Sequence, residues 1–216
     1  MTGHLRPTAP IFSDALLPSD PGVALALAQQ LLVKPLMANH EFGLWGYSGE
    51  TAGGCELTIQ SAGIGGPSAA TVLAELAGFG TERVIALGTC TALDPALSEG
   101  AVVLAASARA EPDPDSSVTA GVAVADPVLT AALAAACPGA LSLPVASVYT
   151  HADADISFAG TGASVIDLTT AALLGTGARL GLAVACALIV SGDGQSAQST
   201  DGLLELGSRA VEAFRR

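Results

Sequence analysis

At 216 residues, half of them hydrophobic and only 13% charged, the chain is long enough for one α/β domain with a sizeable core and too apolar for a disordered polymer. Its formal net charge is −12, with one lysine (Lys34) and seven arginines against 20 acidic residues. That excludes a nucleic-acid surface, because phosphate backbones need clustered Lys and Arg, and an acidic surface of this kind favours solubility. The apolar runs break well short of a membrane span, and the start Met-Thr-Gly-His-Leu-Arg-Pro has no apolar h-region. A cytoplasmic protein with no membrane partner is expected.

Taken in chain order, residues 11–17 read as a first strand. Residues 24–32 read as a helix opened by Asp20-Pro21, with Asp20 as its N-cap. Residues 34–45 read as extended, and 47–54 as a glycine-rich turn region. A strand over 57–62 leads into Gly63-Ile64-Gly65-Gly66-Pro67-Ser68 and then a helical pattern with Pro67 in its first turn. Glycines let a backbone approach a ligand, and a helix N-terminus offers N–H groups to anions. A second buried strand over 84–88 ends in Gly88-Thr89-Cys90, which completes a βαβ unit, and ligands in such sheets sit beyond the strands' carboxyl ends.

Further along, 101–107 reads as a strand and 110–121 as a loop. Asp126-Pro127 opens an alanine-rich helix to Ala136, and 143–149 reads as a strand. Residues 165–180 read as a helix, 182–190 as a buried strand and 200–216 as a final amphipathic helix. The alternation predicts a three-layer α/β/α sandwich around a central mixed β-sheet, with residues 1–216 as one domain. The cysteines (Cys55, Cys90, Cys137, Cys186) show no metal-ligand spacing and no secretory context, so neither metal, cofactor nor disulfide is expected. For Cys90, at a strand end, two readings stand: a thiol that touches a ligand, or a small packing residue.

Gly63-Ile64-Gly65-Gly66-Pro67-Ser68, the Glu75-Leu76 helix and the strand ending in Gly88-Thr89 together resemble the nucleoside phosphorylase family, of the uridine and hexameric purine type. The likeness extends to Pro18-Ser19-Asp20-Pro21-Gly22, where the family has a phosphate loop, to Asn39-His40-Glu41-Phe42 with Trp45, and to His4-Leu5. It implies a phosphorylase-like sandwich, a nucleoside ligand, and a homo-oligomer (dimer or hexamer) or a mixed oligomer with a relative. His4 and the His40 segment would then serve a neighbouring subunit's site. It also implies an anion loop of Ser19, Asp20, His40, Gly65 and Gly88. The nucleoside would meet His4, Thr89, Cys90, Tyr149, His151, Asp167, Leu168 and Thr169.

Breaking a ribosyl N–C bond passes through a cationic sugar, and phosphorolysis adds a dianion that calls for arginine forks. The resemblance implies arginines at three places where this chain has Val23, His40 and Ala86, which makes phosphate a doubtful partner. Arg6 and Arg109 are the nearest substitutes by sequence; Arg109 reads equally as a solvated loop residue. His40 reads either as an anion contact or as a structural hydrogen-bonder. Aligned on Gly177-Ala178-Arg179-Leu180-Gly181, Asp167-Leu168-Thr169 takes the place of the family's ribose-gripping Glu-Met-Glu. Thr169 either bonds a sugar hydroxyl or packs in a helix. Asp193 stands one residue beyond the family's general acid and is the catalytic candidate; a one-residue shift moves a carboxylate by about 3 Å. Residues 151–163 are shorter than the family's base-closing segment. The function implied is cleavage of an N-glycosidic bond or binding of a nucleoside. The alternatives are a silent partner subunit of an active phosphorylase and a phosphate-independent nucleoside hydrolase.

Overall fold

The computed structural model describes residues 3–110, 121–148, 162–191 and 197–216. The chain runs β1 (Asp14–Pro18), α1 (Pro21–Leu31), β2 (Leu32–Asn39), a 3₁₀ turn (Glu41–Gly43), β3 (Gly46–Thr51), β4 (Glu56–Gln60), α2 (Gly65–Gly78) and β5 (Arg83–Ala92). There follow β6 (Val102–Ala110), β7 (Val122–Val124), α3 (Pro127–Ala136), β8 (Leu141–Ser147), β9 (Val165–Asp167), α4 (Thr170–Leu180), β10 (Ala183–Val190) and α5 (Ala197–Phe214). The strands form one mixed sheet in the order β10-β6-β8-β9-β5-β1-β4-β3-β2, with β7 added on β6. A further pairing of β10 with β5 curls that half of the sheet on itself. The expected α/β class and central mixed sheet are what the structure has.

Alternation on the central strands makes the layers. On β5, Val84, Ala86 and Cys90 face one core while Ile85 and Leu87 face the other. The first core is closed by Ala69, Val72, Leu73 and Leu76 of α2 and by Leu173 and Leu174 of α4. The second is closed by α1, α3 and α5 through residues such as Leu27, Leu133 and Leu206. Strands buried on both faces read as continuous apolar runs, which is why β5 and β10 were legible. Each fully buried leucine contributes roughly 1.5–3 kcal/mol.

The helix starts follow the sequence. Asp20 caps α1, its carboxylate accepting from Val23 N at 2.9 Å, and Asp126 caps α3, accepting from Leu129 N at 2.7 Å. Both precede a proline at the start of the helix, the position where a missing N–H is harmless.

Four expectations change. The strand expected over 84–88 runs on to Ala92, because Thr91 and Ala92 find partners in β9. The turn region of 47–54 is mostly β3: Tyr47 and Thr51 are buried and Gly46–Glu50 pair with β4, leaving the turn to residues 52–54. The extended reading of 34–45 stops at Asn39, after which Phe42 takes a positive φ of 56° in the 3₁₀ turn. The helix expected from 165 starts at Thr170, because Val165 and Ile166 pair with β5 and β8 instead. β-branched residues fit a pleated, buried surface better than a helix start.

Candidate functional site

The carboxyl ends of β1, β4, β5 and β10 meet at one end of the sheet. Ala62 N donates to Pro18 O at 2.8 Å, Gly63 N to Ser19 O at 3.1 Å, and Ser191 N to Cys90 O at 2.9 Å. β1 leaves β5 after Leu87, and β9 joins the same edge only at Thr91. Between these levels Gly88, Thr89 and Cys90 have ladder neighbours on β10 and no strand register on the opposite edge. This fork is a topological switch point, where sheets of this kind hold their ligands.

The glycine loop closes the fork from above. Gly63 adopts φ +74° and Gly65 φ +78°, left-handed values that favour glycine. A Cβ on Gly63 would strike Ser68 Oγ, which donates to Ala62 O at 2.7 Å and so clips the loop to its own strand. A Cβ on Gly66 would lie 3.1 Å from Ala172 Cβ and 3.6 Å from Leu168 O. Gly66 thus lets the N-terminus of α2 approach that of α4, and both helix starts border the fork.

Asp167 ends β9 and is 5% exposed. Its carboxylate accepts from Ser147 Oγ (2.5 Å), Thr170 Oγ1 (2.7 Å), Thr170 N (2.9 Å), and Thr169 N and Oγ1 (both 3.2 Å). Ser147 Oγ in turn accepts from Ala171 N at 2.9 Å. Asp167 therefore caps α4 from below, where the capping group was not sought. Ser147, buried at the end of β8, is the relay that sequence reasoning missed; a lone serine in an apolar strand carries no signal of it. Cys90 lies within reach of the Asp167 field. Burial first, and that carboxylate second, push its thiol up to about 12, so it is a neutral packing group and not a thiolate.

The remaining candidates divide by position. Gly88, Thr89 and Cys90 lie on β5 at the fork, Ser19 O accepts from Gly63 N, and the Gly65-Gly66 start of α2 lies against Leu168, next to Thr169. Asp20 sits at the next residue after Ser19, with its carboxylate turned to α1. His40 stands apart on the surface, its Nε2 3.9 Å from Glu41 Oε1. His4 packs its ring on Phe42, 5.3 Å between centroids, so the N-terminal segment and the 3₁₀ turn form one surface. Asn39 Nδ2 and Gln60 Nε2 both donate to Leu44 O, at 2.5 and 3.0 Å, and hold the segment after the turn. Tyr149, His151 and Asp193 lie outside the described residues. Val23 is 8% exposed within the α1-side core and Ala86 is 5% exposed within the α2-side core. Arg109 is on β6, opposite Ala146 of β8 and Val122 of β7, and not on the strand that forms the fork.

The fold is that of an α/β protein whose mixed sheet is covered on both faces. The chain belongs to the phosphorylase superfamily, whose family model matches residues 15–216. It is 29% identical over 198 residues to a DeoD-type purine nucleoside phosphorylase of Geobacillus kaustophilus, covering 85% of this chain and 82% of that enzyme. It is 38% identical over 98 residues to a guanosine phosphorylase of Halorubrum lacusprofundi, covering 45% of this chain and 39% of that one. A DeoD-type purine nucleoside phosphorylase of Caldanaerobacter subterraneus is 32% identical over 102 residues, covering 47% and 44%. No helix among the described residues is long and apolar enough to cross a membrane.

Proposed function

We propose that the chain binds a nucleoside, with purine nucleosides first in line, at the β5 fork, and acts on or holds its N-glycosidic bond without an arginine-lined phosphate site. The observation that carries this reading is the side-chain chemistry around the fork. Val23 and Ala86, two of the three positions where the resemblance puts arginine, are buried apolar residues packed into the cores. The third, His40, is exposed beside Glu41. At these described positions a phosphate dianion meets backbone N–H groups of the glycine loop and helix N-termini in place of guanidinium forks, a far weaker site. The hydroxyl and backbone groups of Ser19, Thr89 and Thr169 suit a neutral, hydroxyl-rich sugar. The purine preference rests on the names of the relatives.

In the hydrolytic form of this reading, water attacks the anomeric carbon as the N–C bond breaks, the base leaves with a proton from Asp193, the sugar keeps the water's OH, and the proton that the water sheds restores the Asp193 carboxyl. A second reading is a silent partner subunit. The full engagement of the Asp167 carboxylate supports it, because a cationic sugar at the fork gains little from a group already accepting five hydrogen bonds. The exposed Phe42 and Ile64, beside His4 and the glycine loop, suit contact with a second subunit.

Calorimetric titration with purine and pyrimidine nucleosides, with and without phosphate, tests both. Phosphate-independent binding with base release, followed by chromatography, supports the hydrolytic form. Binding that requires phosphate overturns the proposal and returns the chain to phosphorolysis. No binding to any nucleoside, with capture into mixed oligomers by an active relative, selects the silent subunit.

A further inference from the structure

The N-terminal arm is fastened at two places of different chemistry. Its outer anchor is the Glu75 carboxylate on α2. Oε1 accepts from His4 N and lies against His4 Nδ1, both at 2.9 Å, and Oε2 accepts from Leu5 N at 2.6 Å. Leu5 is 3% exposed and belongs to the α2-side core, while His4 rests on Phe42. The inner anchor lies along the end of β2. Arg6 N donates to Asn39 Oδ1 at 2.9 Å, Thr8 N to Ala38 O at 2.8 Å, and Thr8 Oγ1 to Met37 O at 3.1 Å. The change from one anchor to the other falls between Leu5 and Arg6, and Pro7, with its fixed φ, stiffens the inner one.

We propose that residues 3–5 form a proton-sensitive strap, clipped to α2 by the Glu75 carboxylate and released, while Arg6 and Thr8 stay on β2, when that carboxylate is protonated. The outer anchor depends on one ionised group; the inner anchor has only amides, carbonyls and a hydroxyl, none of which titrates in this range. α2 carries no other titratable side chain, and among the described residues His4 supplies the one charge that acts on Glu75. Burial works to raise the Glu75 carboxyl, but the N–H groups of His4 and Leu5 and the His4 ring outweigh it and hold the group below its ordinary value. The sign follows from linkage: a depressed carboxyl stabilises docking fully above its ordinary value and loses that contribution as pH falls through the lowered one. Release therefore belongs below the ordinary titration range of a glutamate carboxyl. It frees Leu5 from the core and leaves Phe42 without its ring partner, changing the surface that His4 and Phe42 form together. The inference does not depend on what the fork binds.

The test is amide hydrogen exchange, read by NMR on the full chain and corrected for intrinsic rates, across a titration from pH 7 to 3. Wild type should show protected amides at His4, Leu5 and Thr8 at neutral pH. Protection of His4 and Leu5 should fall at least tenfold in acid while Thr8 stays protected. Glu75→Gln, which keeps one carbonyl acceptor and loses the charge, should lower the His4 and Leu5 protection at neutral pH, remove its pH dependence and keep that of Thr8. His4→Ala, which retains the backbone donors, should keep Leu5 protected. Equal protection of Leu5 in Glu75→Gln and wild type, a flat wild-type profile, or joint loss at Leu5 and Thr8 would each overturn the strap. Loss of Leu5 protection in His4→Ala would overturn it too, by showing that the ring and not the carboxylate holds the arm.

Discussion

Replacing Asp167 separates a structural carboxylate from a ligand-binding one. Three of its five hydrogen bonds are short, at 2.5, 2.7 and 2.9 Å, in a residue 5% exposed. In Asp167→Ala the Thr170 N–H loses its acceptor, a cap loss of about 1 kcal/mol. Stranding that buried donor and the Ser147 hydroxyl adds roughly 1–3 kcal/mol, since hydroxyls rotate to new partners more easily than an amide does. The expected destabilisation is about 3 kcal/mol in all. Asp167→Asn keeps the shape and one carbonyl oxygen but turns an NH₂ toward groups that are themselves donors, for about 1–2 kcal/mol. Ser147→Ala should cost about 1 kcal/mol, because Ala171 N–H then lacks its acceptor. The assay is urea unfolding, with the midpoint shift converted at a common slope. An Asp167→Ala protein within about 0.5 kcal/mol of wild type would refute the cap, since that is the scatter of neutral surface changes. If Asp167→Asn kept full stability and lost all nucleoside binding, the carboxylate would belong to the ligand instead.

Three further outcomes are expected. Gly63→Ala should destabilise by about 1–3 kcal/mol and blunt any ligand binding, because a Cβ at φ +74° collides with Ser68 Oγ; thermal unfolding and the same titration read both effects. Arg83 grips Asp14 at 2.6 and 2.7 Å, donates to Phe214 O at 2.9 Å and stacks on the Phe214 ring, so Arg83→Ala should loosen the C-terminal end of α5. With the arginine 39% exposed, solvent screening limits the loss to about 1–2 kcal/mol, measurable by denaturant midpoint. Cys90, buried with its thiol near 12, should resist iodoacetamide at pH 8 in the native state while partly exposed Cys55 reacts first; mass spectrometry of the labelled sites decides it.

Much of the fold was legible because it rests on local chemistry. Asp20-Pro21 and Asp126-Pro127 mark helix starts within one turn, through a side-chain oxygen and a missing N–H. The apolar runs of β5 and β10 announce strands buried on both faces. Positive φ at Gly63 and Gly65 is what a glycine-bearing turn between a strand and a helix requires. From such signals alone came the α/β class and the βαβ unit, with the strand ends as the candidate place for a site.

Tertiary structure decided what depends on a distant partner. Val165 and Ile166 leave the helical pattern because β5 and β8 offer them ladders, and no window of neighbouring residues contains those strands. Tyr47 is in a strand because β4 lies beside it, although the glycines nearby suggest a turn. The pairing of β10 with β5, which builds the fork, is a closure between strands on opposite sides of the sequence. Asp167 stands where the resemblance implies a sugar-site acid; that its carboxylate also caps α4, through hydroxyl and amide neighbours drawn from β8 and α4, shows only in the fold. Glu75 enters the sequence only as part of the Glu75-Leu76 helix, and the arm that its carboxylate holds lies 71 residues away. Sequence carries propensity and pattern over a few residues, whereas the partner that satisfies a buried carboxylate or an open strand edge exists only once the chain has folded.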